Sequence, residues 1–160
     1  MNIAVDHQSV NIHTTFEKFT EGIESAVGRF DPAVLDQVTT DPKAAENGIL
    51  GMQGAEDLML FSIEDHGLVL QMKSLVKKAK QYRIGNPLIA MSMTSLDLRA
   101  GLYVPLSLIV YETFEGQVFA DYDLPSSLLG PLGNESITTT AVSLDQKLRN
   151  LIIKAENDNY

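Results

Sequence analysis

The alternation over residues 102–112 limits this chain more than any other stretch. Leu102, Val104, Leu106, Leu108 and Val110 point to one side of an extended backbone, Tyr103, Ser107, Ile109 and Tyr111 point to the other, and Glu112 continues the apolar side. A period of two held over that length calls for a sheet with one covered face. Glu115-Gly116 then offers a hairpin turn into residues 118–123, where Val118, Ala120 and Tyr122 again share a face.

The other segments divide between strands and helices. Residues 3–13 read as a strand whose alternation slips between Val5 and Val10, so a bulge is expected there. Thr14 with Glu17 forms a capping-box pattern, and Phe16, Phe19, Ile23, Val27 and Phe30 follow at helical spacing. Asp31-Pro32 and Asp41-Pro42 each place a capping aspartate before a proline suited to the first helical position. They predict two short helices within 31–54, a helical insertion closed by Gly54. Residues 58–64 form a predicted strand with Met59, Phe61 and Ile63 on one face, and 77–85 another; 68–75 between them reads equally as helix or strand. Asn86-Pro87 repeats the cap-and-proline start for a helix over 88–93. After a polar link, Ile137, Ala141, Leu144, Leu148, Leu151, Ile152 and Ala155 mark a long amphipathic helix with a polar tail at 156–160. The predicted order is β-α-(short α, α)-β-β-α-β-β-α. This is an α+β fold in one domain over 1–160, an antiparallel sheet with helices packed mainly on one face and a long C-terminal helix.

Composition narrows the partners. With 160 residues, 44% of them hydrophobic, the chain can build one sizeable core. A formal charge of -9 repels phosphate backbones and anionic lipid surfaces, so neither nucleic acid nor membrane is an expected partner. The absence of cysteine removes disulfides, thiolate metal sites and cysteine nucleophiles together. The N-terminal residues show no basic start before an apolar core, and no apolar run approaches the roughly 20 residues that span a bilayer. A cytoplasmic location is expected, where the sequon Asn134-Glu135-Ser136 meets no glycosylation enzyme.

Several motifs fall in a recognisable order. Gly85-Asn86-Pro87, Gly101-Leu102 with Pro105 three residues on, Val110-Tyr111-Glu112, Tyr122 shortly before Pro125, and Ile63-Glu64-Asp65-His66 upstream together resemble the domain of unknown function 302 family. The resemblance covers residues 61–125 at motif level. It implies a compact α+β domain similar to the TATA-binding-protein-like and helix-grip folds, often dimeric and without an established activity. Two departures stand out: the 31–54 segment is longer than the corresponding link, and Tyr122-Asp123-Leu124-Pro125 lacks the family's asparagine-aspartate-proline corner.

Each residue that could carry chemistry also has a structural reading. His66, preceded by Asp65, is a general-base candidate, yet adjacent strand residues point to opposite faces, and a histidine capping a turn fits as well. Glu112 would gain a raised pKa if buried on the apolar face, or would sit in water at the strand end. Tyr82, Tyr103, Tyr111 and Tyr122 could line a pocket or be ordinary core aromatics. Lys73, Lys77, Lys78, Lys80 and Arg83 gather five of the 12 basic residues before the Asn86 helix start. An anion held by Lys78, Lys80 and Arg83 near that helix N-terminus is one explanation, and a lysine-protected edge strand is the other. His7, His13 and His66 lack metal-ligand spacing, and no phosphate loop, zinc helix or nucleophile elbow is present, so no metal, cofactor or assigned catalytic residue is expected.

Three functions remain from the sequence. The first is a non-enzymatic module binding a small apolar or anionic ligand between the sheet and the C-terminal helix, with His66, Tyr82, Asn86, Tyr103, Glu112 and Tyr122 as the candidate pocket. The second is an enzyme using His66 or Glu112 as acid or base, which needs both side chains at one opening. The third is a homodimer formed through an exposed apolar or aromatic strand face, compatible with the first.

Overall fold

The computed structural model describes residues 1–158. Its six-stranded sheet has the order β1-β6-β5-β4-β3-β2. The strands are β1 (His7–Ile12), β2 (Gly28–Arg29), β3 (Met59–Asp65), β4 (Ala79–Gly85), β5 (Leu106–Glu112) and β6 (Val118–Asp123). The helices are α1 (Phe16–Ala26), α2 (Pro42–Met52), α3 (His66–Leu70), α4 (Pro87–Thr94), α5 (Pro125–Leu129) and α6 (Glu135–Asn157). Every neighbouring pair runs antiparallel except β2, a two-residue edge that lies parallel to β3. The expected α+β order is therefore present, with β2, α3 and α5 added to it.

The covered face follows from strand parity. Tyr82 and Ile84 of β4, Leu106, Leu108 and Val110 of β5, and Val118, Ala120 and Tyr122 of β6 are all buried. They pack beneath Phe16, Phe19 and Ile23 of α1 and the stripe Ile137, Ala141, Leu144, Leu148, Leu151, Ile152 and Ala155 of α6. Each large aliphatic or aromatic side chain so covered contributes about 1.5–3 kcal/mol, which makes this the main source of stability. The opposite face presents His7, Ser9, Gln81, Arg83, Ser107, Ile109, Tyr111, Phe119 and Asp121, with α3 reaching it only at the Gln81 end.

Several sequence expectations are corrected. The α1 cap is Thr15, whose Oγ1 accepts from the Lys18 N–H at 3.2 Å, and Thr14 lies outside the helix. Phe30 is not the last rung of α1: the helix stops at Ala26, and the chain turns to pair with β3 through Gly28 N–H to Leu58 O at 2.9 Å. Gly28 permits this because a Cβ there would stand 1.6 Å from the Met52 carbonyl oxygen. In β3 a register shift between Leu60 and Ser62 breaks the expected Met59-Phe61-Ile63 face. Met59 and Leu60 are both buried, while Phe61 swings out to stack on Phe30 with ring centres 4.5 Å apart. β5 begins only at Leu106, because Pro105 has no N–H for the ladder, so Leu102 ends a 3-10 turn and is 77% exposed. β1 is shorter than 3–13 and pairs with β6 in unbroken register, so the expected bulge is absent. Within 31–54, Asp31 caps a 3-10 turn over Pro32–Gln37 and Asp41 caps α2, which ends at Met52 before Gly54. Glu156 and Asn157 belong to the last turn of α6, whereas Asn159 and Tyr160 of the polar tail lie outside the described residues.

Candidate functional site

β3, β4 and β5 all end or begin at one margin of the sheet, near Gly85 and Pro105, and the margin is not filled. A cavity of about 180 Å³ lies there. Its walls are the Phe30–Phe61 stack, Leu35 from the 3-10 turn, Ile89 and Ala90 of α4, the Val104–Leu106 segment and Leu144 of α6. Gly85 keeps it open, since a Cβ at that position would sit 3.3 Å from Pro105 and 3.8 Å from the Phe61 ring. The lining is aliphatic and aromatic apart from Asn86, whose polar atoms are already engaged. Its side-chain oxygen accepts from the Leu88 N–H at 2.8 Å and its amide donates to the Asp57 carbonyl at 2.8 Å. Asn86 thus caps α4 and ties it to the β3 approach.

The other pocket candidates are distributed elsewhere. Tyr82 lies fully buried beneath α1, where its hydroxyl donates to Glu24 Oε1 at 2.8 Å; burial first, and then Glu24, push its pKa far above the ordinary phenol value. Tyr122 is buried under α6, and that burial also raises its pKa. Glu112 sits on the covered side at the far end of β5, within 3.6 Å of Lys78 Nζ and with its side chain 28% exposed. His66 opens α3 over the bare face, its Nε2 3.0 Å from Gln81 Oε1. Asp65 does not orient it, because its Oδ1 accepts from the Leu68 N–H at 2.8 Å. His66 and Glu112 therefore occupy opposite faces and share no opening.

The basic candidates separate in the same way. Lys78 is bound by Glu17 at 2.7 Å as well as by Glu112, and Lys80 by Glu24 at 3.0 Å. Arg83 alone of the three is not ion-paired among the described residues; its Nη1 donates to Ser107 Oγ at 2.8 Å. It lines a second cavity of about 240 Å³, across the Pro105–Leu106 backbone from the first, together with Leu102, Tyr103, Ser107, Asp123 and Leu128.

One cluster was not visible in sequence. His7 Nδ1 lies 2.8 Å from Asp123 Oδ1 and Nε2 lies 3.0 Å from Asp121 Oδ2. Ser9 donates to the other Asp121 oxygen at 2.8 Å. A neutral imidazole has one N–H, so serving two carboxylates requires the imidazolium. The hydrogen bonds to Asp123 and then Asp121 raise the His7 pKa accordingly. No group of three or more potential ligand side chains is gathered for a metal among the described residues. His13 is held apart at the other end of β1 by Glu156, 3.1 Å from Nδ1. Only the pairing of His7 with Asp123 could have exposed the cluster, and nothing local to either residue encodes it.

A family model described as domain of unknown function DUF302 matches residues 37–155. In fold the chain is similar to the crystal structure of an uncharacterized conserved protein DUF302 from Bacillus stearothermophilus, with a TM-score of 0.67 over 93% of this chain and 97% of that one, at 17% identity. No curated protein matches. No helix among the described residues is long and apolar enough to cross a membrane.

Proposed function

This chain belongs to the DUF302 family, and on that premise we propose that it is a non-enzymatic binding module whose cavity at the β3–β5 margin takes a small apolar ligand. The cavity itself carries the reading: about 180 Å³ of space bounded by Phe30, Leu35, Phe61, Ile89, Pro105 and Leu144. An engineered protein cavity of about 150 Å³ with a similar aliphatic and aromatic lining takes up benzene. Water gains little there, because the one polar side chain in the wall already spends its hydrogen bonds on Leu88 and Asp57. The acid-base alternative draws no support from His66 and Glu112, which face away from each other.

The test is a titration of isotope-labelled protein with indole and benzene. Resonances of Phe30, Phe61, Ile89 and Ala90 move first, and Ala90→Phe, which fills the space, abolishes the effect while the protein stays folded. Unmoved resonances at those residues would sink the reading.

Self-association is a second reading, favoured by a separate observation. At the hairpin end of the sheet, Phe114 is 95% exposed and Val76 is 91% exposed, with Leu68, Val69 and Met72 also in water. The two segments adjoin, since the Glu112 N–H donates to the Lys78 carbonyl and Lys77 Nζ lies 5.7 Å from the Phe114 ring centre. Large apolar side chains grouped in this manner suit a second copy of the chain.

A further inference from the structure

Arg83 and Asp123 are opposite charges in one cross-strand row that do not close on each other. Arg83 of β4 pairs with Ser107 of β5. The β5–β6 register, continued two residues from Ile109 opposite Asp121, sets Ser107 opposite Asp123. Asp123 in turn pairs with His7 of β1. Strands stand about 4.8 Å apart, so the Arg83 and Asp123 backbones are roughly 10 Å apart across β5. The guanidinium leans over β5 onto Ser107 Oγ, and one Asp123 oxygen is held by His7. Arg83 keeps N–H donors on its outer edge, and Asp123 keeps its second oxygen. Both side chains line the same cavity of about 240 Å³, whose remaining walls are Leu102, Tyr103, Pro105, Leu106 and Leu128.

We infer that this cavity binds a small amphoteric molecule, of the class of free α-amino acids with an apolar side chain. This inference is independent of the apolar cavity proposed above. The ligand's carboxylate accepts paired hydrogen bonds from the Arg83 guanidinium, whose planar fork suits that group. Its ammonium donates to the free oxygen of Asp123, and its side chain lies against Leu128 and covers Leu102, which is otherwise 77% exposed. The charge pattern also rejects simpler ions. A lone carboxylate meets Asp123 and a lone amine meets Arg83, so each singly charged compound carries one repulsive contact.

The test titrates the protein with the proteinogenic amino acids at millimolar concentration, followed by nuclear magnetic resonance at Arg83, Ser107 and Asp123. The best binder is then compared with two analogues, the same skeleton without its carboxyl and the same skeleton without its amine. The expected result is a shift at all three residues for an apolar amino acid and roughly tenfold or weaker binding for each analogue. Arg83→Gln removes binding, and Arg83→Lys restores part of it. The inference is overturned if no amino acid moves these resonances, if the carboxylate analogue binds as tightly as its parent, or if Arg83→Gln binds unchanged. The analogue comparison uses the unaltered protein, and titration of the Phe30–Phe61 cavity is read at different residues, so failure of one site leaves the other standing.

Discussion

His7 holds two carboxylates from the edge of the sheet, and that makes β1 attachment depend on pH. Its folded pKa is raised above about 6.5, so its contribution is fully present below that value and is lost as pH rises through the folded pKa, provided Asp121 and Asp123 stay ionised. The charged or polar groups facing it are Asp121, Asp123, Ser9 and, through Asp121, the Tyr111 hydroxyl. Thermal melts of wild type and His7→Gln should differ below the ordinary histidine pKa of about 6.5 and converge once the pH has risen through the raised folded pKa; an equal gap in both ranges would rule the mechanism out. Tyr82 supports a second prediction. Tyr82→Phe removes one hydrogen bond to Glu24 and costs about 1 kcal/mol, whereas Glu24→Ala deprives both the buried hydroxyl and Lys80 of their acceptor and costs about 2–3 kcal/mol in urea unfolding. The reverse order would show that Glu24 contributes nothing through these bonds. At this scale sequence reading was limited for a definite reason. Tyr82, Asn86 and His66 were recognisable as polar groups on an apolar scaffold, but their partners lie 58, 29 and 15 residues away and had no local trace.

Strands β5 and β6 were legible because their side chains alternate against one covered face, and Asp31, Asp41 and Asn86 were legible as caps because each precedes a proline. The misreadings occur where tertiary contact overrides local pattern. Phe30 continued the spacing of α1 and Phe61 the alternation of β3 on paper, yet they meet each other, which the β3 register shift and the short β2 edge bring about. Gly28 is the hinge of that arrangement and gives a sharp test at element scale. Gly28→Ala drives a Cβ into the Met52 carbonyl at 1.6 Å, a backbone group that cannot swing aside, and should destabilise the protein by at least about 2 kcal/mol. Gly51→Ala, inside α2 with nothing within 4 Å of the new methyl, should instead stabilise it by roughly 0.5–1 kcal/mol. Chemical denaturation of the two variants separates a steric requirement from a general preference for glycine in this segment; equal effects would contradict the close approach.

The layered α+β architecture and the family were accessible from sequence because both rest on ordered patterns along the chain, such as Gly85-Asn86-Pro87 and the 102–112 alternation. The location of open space was not, because a cavity is what remains after helices and sheet have packed, and Leu35, Phe61 and Leu144 converge on one only in three dimensions. The same holds for the apolar end formed by Phe114 and Val76, which belong to separate turns. If that end joins two copies, a formal charge of -9 per chain sets their long-range repulsion against the apolar contact. Raising ionic strength shortens the screening length from about 30 Å at 0.01 M to about 8 Å at 0.15 M, so association should strengthen with salt rather than weaken. Sedimentation equilibrium at low and high salt is expected to show a dimer whose fraction grows with salt in the wild type, and a monomer throughout for Phe114→Ser combined with Val76→Ser. A dimer that dissociates on adding salt would locate the interface among the charged groups of the bare sheet face, and a monomer under every condition would remove self-association from the account.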